Sequence, residues 1–473
     1  MGYSENCCQI CAVSINVARV RTKHEPESAG WGYSSPEYYS GDPMSSRCTT
    51  FKEQSGCENI AHEQAEWIHI AGRGCTFDGG YNGLKIGVEE MKGMNRPRYI
   101  VKRPEDQEPD EESTDYEKES DFFLTSQTTC PPDDFEPGDL EHVRYGIDNF
   151  FPQNYCVVDM DDDMGVGVPV HDACWMIFER VCKMRLGKVD LQGFMALWAR
   201  QACGNCGFQN MKQEQIIFEC RQQFWKHVAG TEYLGANPVE IPGLLFGLSE
   251  HYGDYPRGDG VFMTRTPSPD NPTVPQNPTD PFSRLPAELK NMILYDLPSK
   301  DITSLRLASR SFRQLPKQLF HKLIQDELPW FWELDELKQM DDDWWREWFK
   351  DDDPEKVNNE QDAESIRRSG RGNFTKNVNW LSVYKQLCIL RMGVVGVRNR
   401  ARVWYLAEEI VKRVDELRRS LKERSAEPAG HDLGEDEDIP VQPTEEEDQA
   451  GLVKNGLYCP RCKICQIERQ DSK

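Results

Sequence analysis

Apolar residues recur at helical spacing in two parts of the chain, and these predict its clearest elements. In the first, Leu289, Met292, Ile293 and Leu297 form one face of a helix. Pro286 fits its first helical position, where a missing N–H costs nothing. Glu288 lies in the first turn, on the favourable side of the helix dipole. Pro298 stops the helix, because the residue before a proline is pushed out of the α region. Ser299 is placed to cap a second helix, with Asp301 in its first turn and Ile302, Leu305 and Ala308 or Ser309 along one side. "SRSFRQL" reads as a short third helix with Phe312 and Leu315 inward. Pro316 starts a fourth, striped by Leu319, Phe320, Leu323 and Ile324. The second periodic part lies near the end. Val403, Ala407, Ile410, Val414, Leu417 and Leu421 make one stripe, with Glu408, Lys412 and Arg413 off it. That stripe is shorter than the three or four heptads of a coiled coil, so the helix is expected to pack on its own domain.

The stretches between these elements are more polar. With 473 residues the chain has room for about two to four domains. Hydrophobic residues make up 38% and charged residues 29%, at a mean hydropathy of -0.70. That balance predicts folded parts joined by solvated ones. Residues 1–260 are rich in Gly, Cys and aromatics and read as an irregular, mixed α+β region. Within it, residues 103–121, "RPEDQEPDEESTDYEKESD", have little to bury and read as a disordered acidic insert. Residues 264–281 form a proline-rich, extended linker. The helical module follows at 282–326, then a mainly helical region at 327–425. Residues 426–473 read as an acidic, disordered tail ending in a cysteine cluster. The fold class is therefore α+β, with a small all-α module inside it. In "LPWFWELDELKQMDDDWWREWF", from Leu328 to Phe349, core packing is the first expectation and an aromatic recognition surface the second.

A net charge of -24 opposes general affinity for nucleic acid or anionic membranes, both of which recruit Lys and Arg. The start of the chain lacks the charged and apolar regions of a signal peptide, and Asn6 breaks the myristoylation pattern begun by Gly2. No apolar window is long enough to span a bilayer. These features predict a cytoplasmic and/or nuclear protein whose 17 cysteines are mostly reduced.

Reduced cysteines raise the question of metal. C-x-x-C pairs occur at Cys8/Cys11, Cys203/Cys206 and Cys459/Cys462, the last overlapping Cys462/Cys465. The glycines of "CGNCGF" resemble those of a zinc knuckle. Structural zinc takes four Cys or His ligands in a tetrahedron. Cys8, Cys11, Cys203 and Cys206 are the candidate set, with Cys57, His69, Cys75, His171, Cys174, Cys220 and His227 as further donors. The spacings match no standard finger, and buried thiols packed as small hydrophobes are the competing expectation. No βαβ context supports a thioredoxin-like role. "DMDDDMGVGVP" lacks the calcium-loop pattern and reads as a solvated loop. No G-x-S-x-G motif or P-loop is present. A Cys–His nucleophile at His69 or His171 ranks below a structural or ligand role.

The stretch "PFSRLPAELKNMILYDLPSKDITSLRLASRSFRQL" closely resembles an F-box, over about Pro281 to Asp326. Leu285-Pro286, Glu288-Leu289, Ile293, Leu297-Pro298, Asp301-Ile302 and "LRLASRSFRQL" stand where that pattern has them. The resemblance implies binding to the Skp adaptor of a Skp–cullin–F-box ubiquitin ligase, and through it to cullin. It implies that Leu285, Pro286, Leu289, Ile293, Leu297, Leu305 and Leu307 supply the adaptor-binding surface, some of them also serving internal packing. The chain is then a substrate-recruiting adaptor and not an enzyme, with a protein substrate that the sequence does not identify. The alternative is a zinc-binding or enzymatic N-terminal domain whose F-box only controls its own turnover or scaffolding. Four further stretches, "CQICAVSINVARVR", "WIHIAGRGC", "VHDACWMIFERV" and "GVRNRARVW", resemble a group of fungal F-box proteins. Ala12 stands where that group usually has Gly.

Overall fold

The computed structural model describes residues 6–15, 17–31, 55–60, 68–77, 80–128, 140–148, 150–152, 165–201, 208, 211, 217, 228–244, 280–312, 315–333 and 380–426. The chain divides into two compact units, one formed by residues 1–241 and 395–473 and the other by residues 242–394. The architecture is α+β.

The first unit opens with small paired strands. β1 (Arg19–Val20) runs parallel to β4 (Tyr81–Asn82), and β2 (Glu58–Ile60) pairs antiparallel with β3 (Ile68–Ile70). A helical turn, α1 (Val88–Met91), leads to the main sheet. Its central strand β5 (Pro97–Lys102) carries Tyr99, Ile100 and Val101, a β-branched and aromatic run that suits a strand covered on both faces. After α2 (Asp115–Lys118), β6 (Phe122–Leu124) and β8 (Gly165–His171) flank β5 antiparallel, and β7 (Phe150–Pro152) lies parallel to β8. The strand order is β6-β5-β8-β7. Gly167 stands between Val101 and Pro152 in this register, and a side chain there would overlap the Phe150 ring. The part of "DMDDDMGVGVP" that the structure describes is thus strand rather than solvated loop. β8 runs directly into α3 (Asp172–Leu186), followed by α4 (Leu191–Gln201). Trp175 and Phe178 of α3 pack with Phe194 of α4, at ring separations of 5.8 Å and 5.1 Å.

Residues 103–121 depart from the disordered insert that their composition predicts. Thr114 and Glu117 form a capping box around α2, and Glu117 is buried. The reason lies outside the insert. Arg144 reaches back to Asp110 at 2.8 Å and to Glu117 at 3.0 Å, with its guanidinium over the Phe123 and Tyr145 rings. Glu117 also accepts from the Leu124 backbone N–H on β6 at 2.8 Å.

The second unit is helical where it is described. α5 (Ala287–Tyr295), α6 (Ser299–Ala308) and α7 (Lys317–Glu327) enclose a core of Leu294, Ile302, Phe312, Leu315, Leu319, Phe320 and Leu323. Pro286 caps α5, one position before its predicted place, and Pro298 takes the capping place assigned to Ser299. The Ser299 N–H, one of the unpaired donors of the first turn, donates to Glu327 Oε1 at 2.6 Å. A unit of roughly fifty residues has difficulty burying enough surface alone. Here α8 (Trp380–Gly393) contributes Trp380, Leu381 and Tyr384 to the same core, and the Tyr384 hydroxyl donates to Glu327 Oε2 at 2.8 Å. Of the aromatic-acidic stretch, residues 328–333 are described, and Leu328, Trp330 and Phe331 are buried.

α9 (Val395–Ala426) returns the chain to the first unit. The predicted stripe from Val403 to Leu417 is buried, and α9 packs on α3 and α4; Leu421 is exposed. The helix that the sequence places in a separate C-terminal region therefore closes the N-terminal one. No helix among the described residues is long and apolar enough to cross a membrane.

Candidate functional site

The helical module presents apolar groups in two settings. Leu294 and Ile302 hold its interior, and Ile293, Leu297 and Leu305 are half-buried against that interior. Leu285 is also half-buried, and Pro286 is exposed. Leu289, Met292 and Leu307 face outward, at 45%, 61% and 86% exposure. Of the seven residues named for adaptor binding, Leu289, Leu307 and Pro286 are the ones free of packing duty. Met292 belongs to the predicted helix face but not to the residues expected to bind the adaptor. Its exposure could be recognised only once Leu294 was seen to be the buried residue of α5.

Asp280 organises the entrance to the module. Its carboxylate accepts from the Phe282 N–H at 3.0 Å, the Ser309 hydroxyl at 2.7 Å and the Ser311 hydroxyl at 2.9 Å. This ties the first residues of the module to the turn after α6, and the hydroxyls hold the carboxyl below its ordinary range.

Residues 282–323 match the family described as F-box domain. The chain carries an F-box. Searches of curated proteins and of solved structures find no match. The F-box supports a general role as an adaptor component of Skp–cullin–F-box ubiquitin ligases, since F-box domains generally bind the Skp adaptor.

The first unit, for its part, gathers two groups of cysteine and histidine able to hold a metal ion. In the first, Cys8, Cys11, His171 and Cys174 are all buried, with their donor atoms within 4.8 Å of one another. Cys8 and Cys11 sit on a tight turn closed by the Ala12 N–H to the Cys8 carbonyl at 2.7 Å and the Cys8 N–H to the Val13 carbonyl at 2.9 Å. Ala12 adopts a φ of 60°, the left-handed conformation that suits Gly. His171 ends β8 and caps α3, and Cys174 lies in the first turn of that helix. His171 Nδ1 is 3.4 Å from Cys11 Sγ and 3.8 Å from Cys174 Sγ, and the His171 N–H donates to Cys8 Sγ at 3.3 Å. Burial pushes the Cys11 thiol up, but hydrogen bonds from Cys174 and Cys8 and the charge of His171 outweigh it and hold Cys11 well below the thiol range. Burial disfavours the His171 cation, yet the Cys11 and Cys8 sulfurs raise it to about 10. Burial and the same two sulfurs push Cys174 well up.

The second group is Cys57, His69 and Cys75, with His69 Nε2 3.4 Å from Cys75 Sγ. Burial lowers His69 to about 4.

Two members of the predicted metal set, Cys8 and Cys11, are among the described residues. Cys8 and Cys11 join His171 and Cys174, which were named as further donors. Cys203, Cys206, Cys220, His227 and the tail cysteines lie outside the described residues. The turn residue Ala12 and the His-x-x-Cys spacing at 171–174 were visible in the sequence. The proximity of that spacing to Cys8 and Cys11 was not, because some 160 residues separate the pairs.

The stretch "GVRNRARVW" serves the same neighbourhood. Asn399 Nδ2 donates to the Ala236 carbonyl at 2.7 Å, and Arg400 Nε to the Pro238 carbonyl at 2.6 Å. Arg402 Nη1 donates to the Cys11 carbonyl at 2.9 Å.

Proposed function

We propose that this protein is the substrate-recruiting subunit of a Skp–cullin–F-box ubiquitin ligase and performs no bond chemistry itself. The observation that carries the reading is the outward-facing set Leu289, Met292 and Leu307 on a matched F-box. Large apolar groups left open on a small helical module are what an obligate partner would cover. Catalysis then comes from proximity. The F-box holds the Skp adaptor and through it cullin, another surface holds a protein substrate, and the substrate's effective concentration near the charged ubiquitin-conjugating enzyme rises. Work of this kind belongs in the cytoplasm and/or nucleus, where cysteines stay reduced.

The test is capture of purified Skp adaptor and cullin by the full chain and by a Leu289→Ala/Leu307→Ala variant. Burying one leucine fully is worth about 1.5–3 kcal/mol, so adaptor affinity should fall by roughly tenfold or more. Both side chains are exposed, so the melting temperature should not move. No capture by folded wild-type protein would end this reading. Leu285→Ala with Pro286→Ala, which alters the entry to α5, should weaken capture as well.

A further inference from the structure

We propose that Cys8, Cys11, His171 and Cys174 form a structural zinc site that fastens the N-terminal turn to the β8–α3 junction. It is independent of the adaptor reading, because every ligand lies in the first unit.

Three observations carry it. The first is geometry. Tetrahedral zinc, with Zn–S near 2.3 Å and Zn–N near 2.05 Å, sets its ligands about 3.6 Å (N to S) and about 3.8 Å (S to S) apart. The observed separations of 3.4 Å and 3.8 Å from His171 Nδ1, and the 4.8 Å limit on the whole set, match a cage of that size. The second is burial. Cys8, Cys11, His171 and Cys174 are each 0% exposed, so neither a substrate nor an attacking thiol reaches them. His171 Nε2 is buried with no hydrogen-bond partner among the described residues, which leaves the sulfurs as the ring's polar neighbours. Cys8, Cys11 and Cys174 are free thiols and not disulfides. Thiols packed merely as small hydrophobes have no reason to converge on an imidazole nitrogen.

The third is what surrounds the cage. Three thiolates and one Zn²⁺ leave a net charge of −1. Cys174 lies in the first turn of α3, the positive end of that helix, and the His171 N–H donates to Cys8 Sγ. Arg402 holds the Cys11 carbonyl. These groups offset the residual charge and orient the ligands from outside. Four donors also close the tetrahedron, leaving no open position for a reacting water, which makes the site structural. The choice of zinc over calcium or magnesium follows from sulfur and imidazole donors.

The experiment measures zinc in the full chain purified without chelator, then in Cys11→Ser and Cys174→Ser. Each variant should lose about one zinc per chain relative to wild type, whatever the Cys57 group holds. Because loss of a ligand could unfold the unit, cobalt substitution in His171→Cys provides the second reading. Wild-type protein should show thiolate-to-cobalt charge transfer and tetrahedral d–d bands of an S₃N site. His171→Cys should keep the metal and shift those bands toward those of an S₄ site. A folded wild-type chain that holds no zinc would overturn the proposal. So would zinc content unchanged in both serine variants, or a cobalt spectrum that His171→Cys leaves unmoved.

Discussion

Ala12 shows how one side chain can work against the local backbone. It follows Cys11 on the turn and takes a φ of 60°, where a Cβ crowds the next carbonyl. Ala12→Gly should relieve about 1 kcal/mol and raise the melting temperature by about 2–4 °C, read by thermal denaturation. Asp110 illustrates the opposite case, a charged residue held in place by a distant partner. Hydrogen bonding to Arg144, against a smaller burial penalty, lowers its carboxyl to about 2. A depressed carboxylate stabilises the fold above its ordinary value and loses that contribution as pH falls through the folded value. Asp110→Asn should therefore lower the melting temperature at neutral pH by a constant margin. The margin should narrow below about pH 4. A gap that persists unchanged to pH 3 would remove the charge from the explanation. The behaviour of Asp110 could not be read from the acidic composition of residues 103–121, because the answering cation is Arg144.

Helices and strands follow their local patterns closely but choose neighbours from far away. Asp190 caps α4 by accepting from the Gly193 N–H at 2.8 Å, and the same carboxylate pairs with Arg418 of α9. Gly193 lets the two helices approach, since a Cβ there would stand 2.6 Å from Val414 Cγ1 and 2.5 Å from Asp190 Oδ2. Gly193→Ala gains helix propensity worth roughly 1 kcal/mol, yet overpacking at such contacts costs about 1–3 kcal/mol. The net expectation is destabilisation, seen as a lower denaturant midpoint at unchanged slope. In the F-box, the apolar periods of α5, α6 and α7 were all visible. The period of α5 did not say which apolar residue turns inward. Leu294 does, while Leu289 and Met292 stay outside.

Across the whole chain, two tasks fall to two separately packed units. One carries the F-box, and the other brings together the four stretches that resemble fungal F-box proteins. Three of them supply every side chain but Cys57 of the two groups able to hold a metal ion, and the fourth, through Arg402, holds the Cys11 turn. Removal of metal should accordingly lower the melting transition of the first unit and leave Skp-adaptor capture by the F-box intact; paired calorimetry and pulldown with a zinc chelator would read both. Periodicity, prolines and motif spacing were enough to locate the F-box and the long C-terminal helix, because these depend on neighbours three or four residues apart. The grouping of Cys8 and Cys11 with His171 and Cys174, the order in residues 103–121 and the packing of α9 on α3 and α4 came from the fold. Each joins groups tens to hundreds of residues apart, and no local pattern records which of many compatible partners the chain brings within a few ångströms.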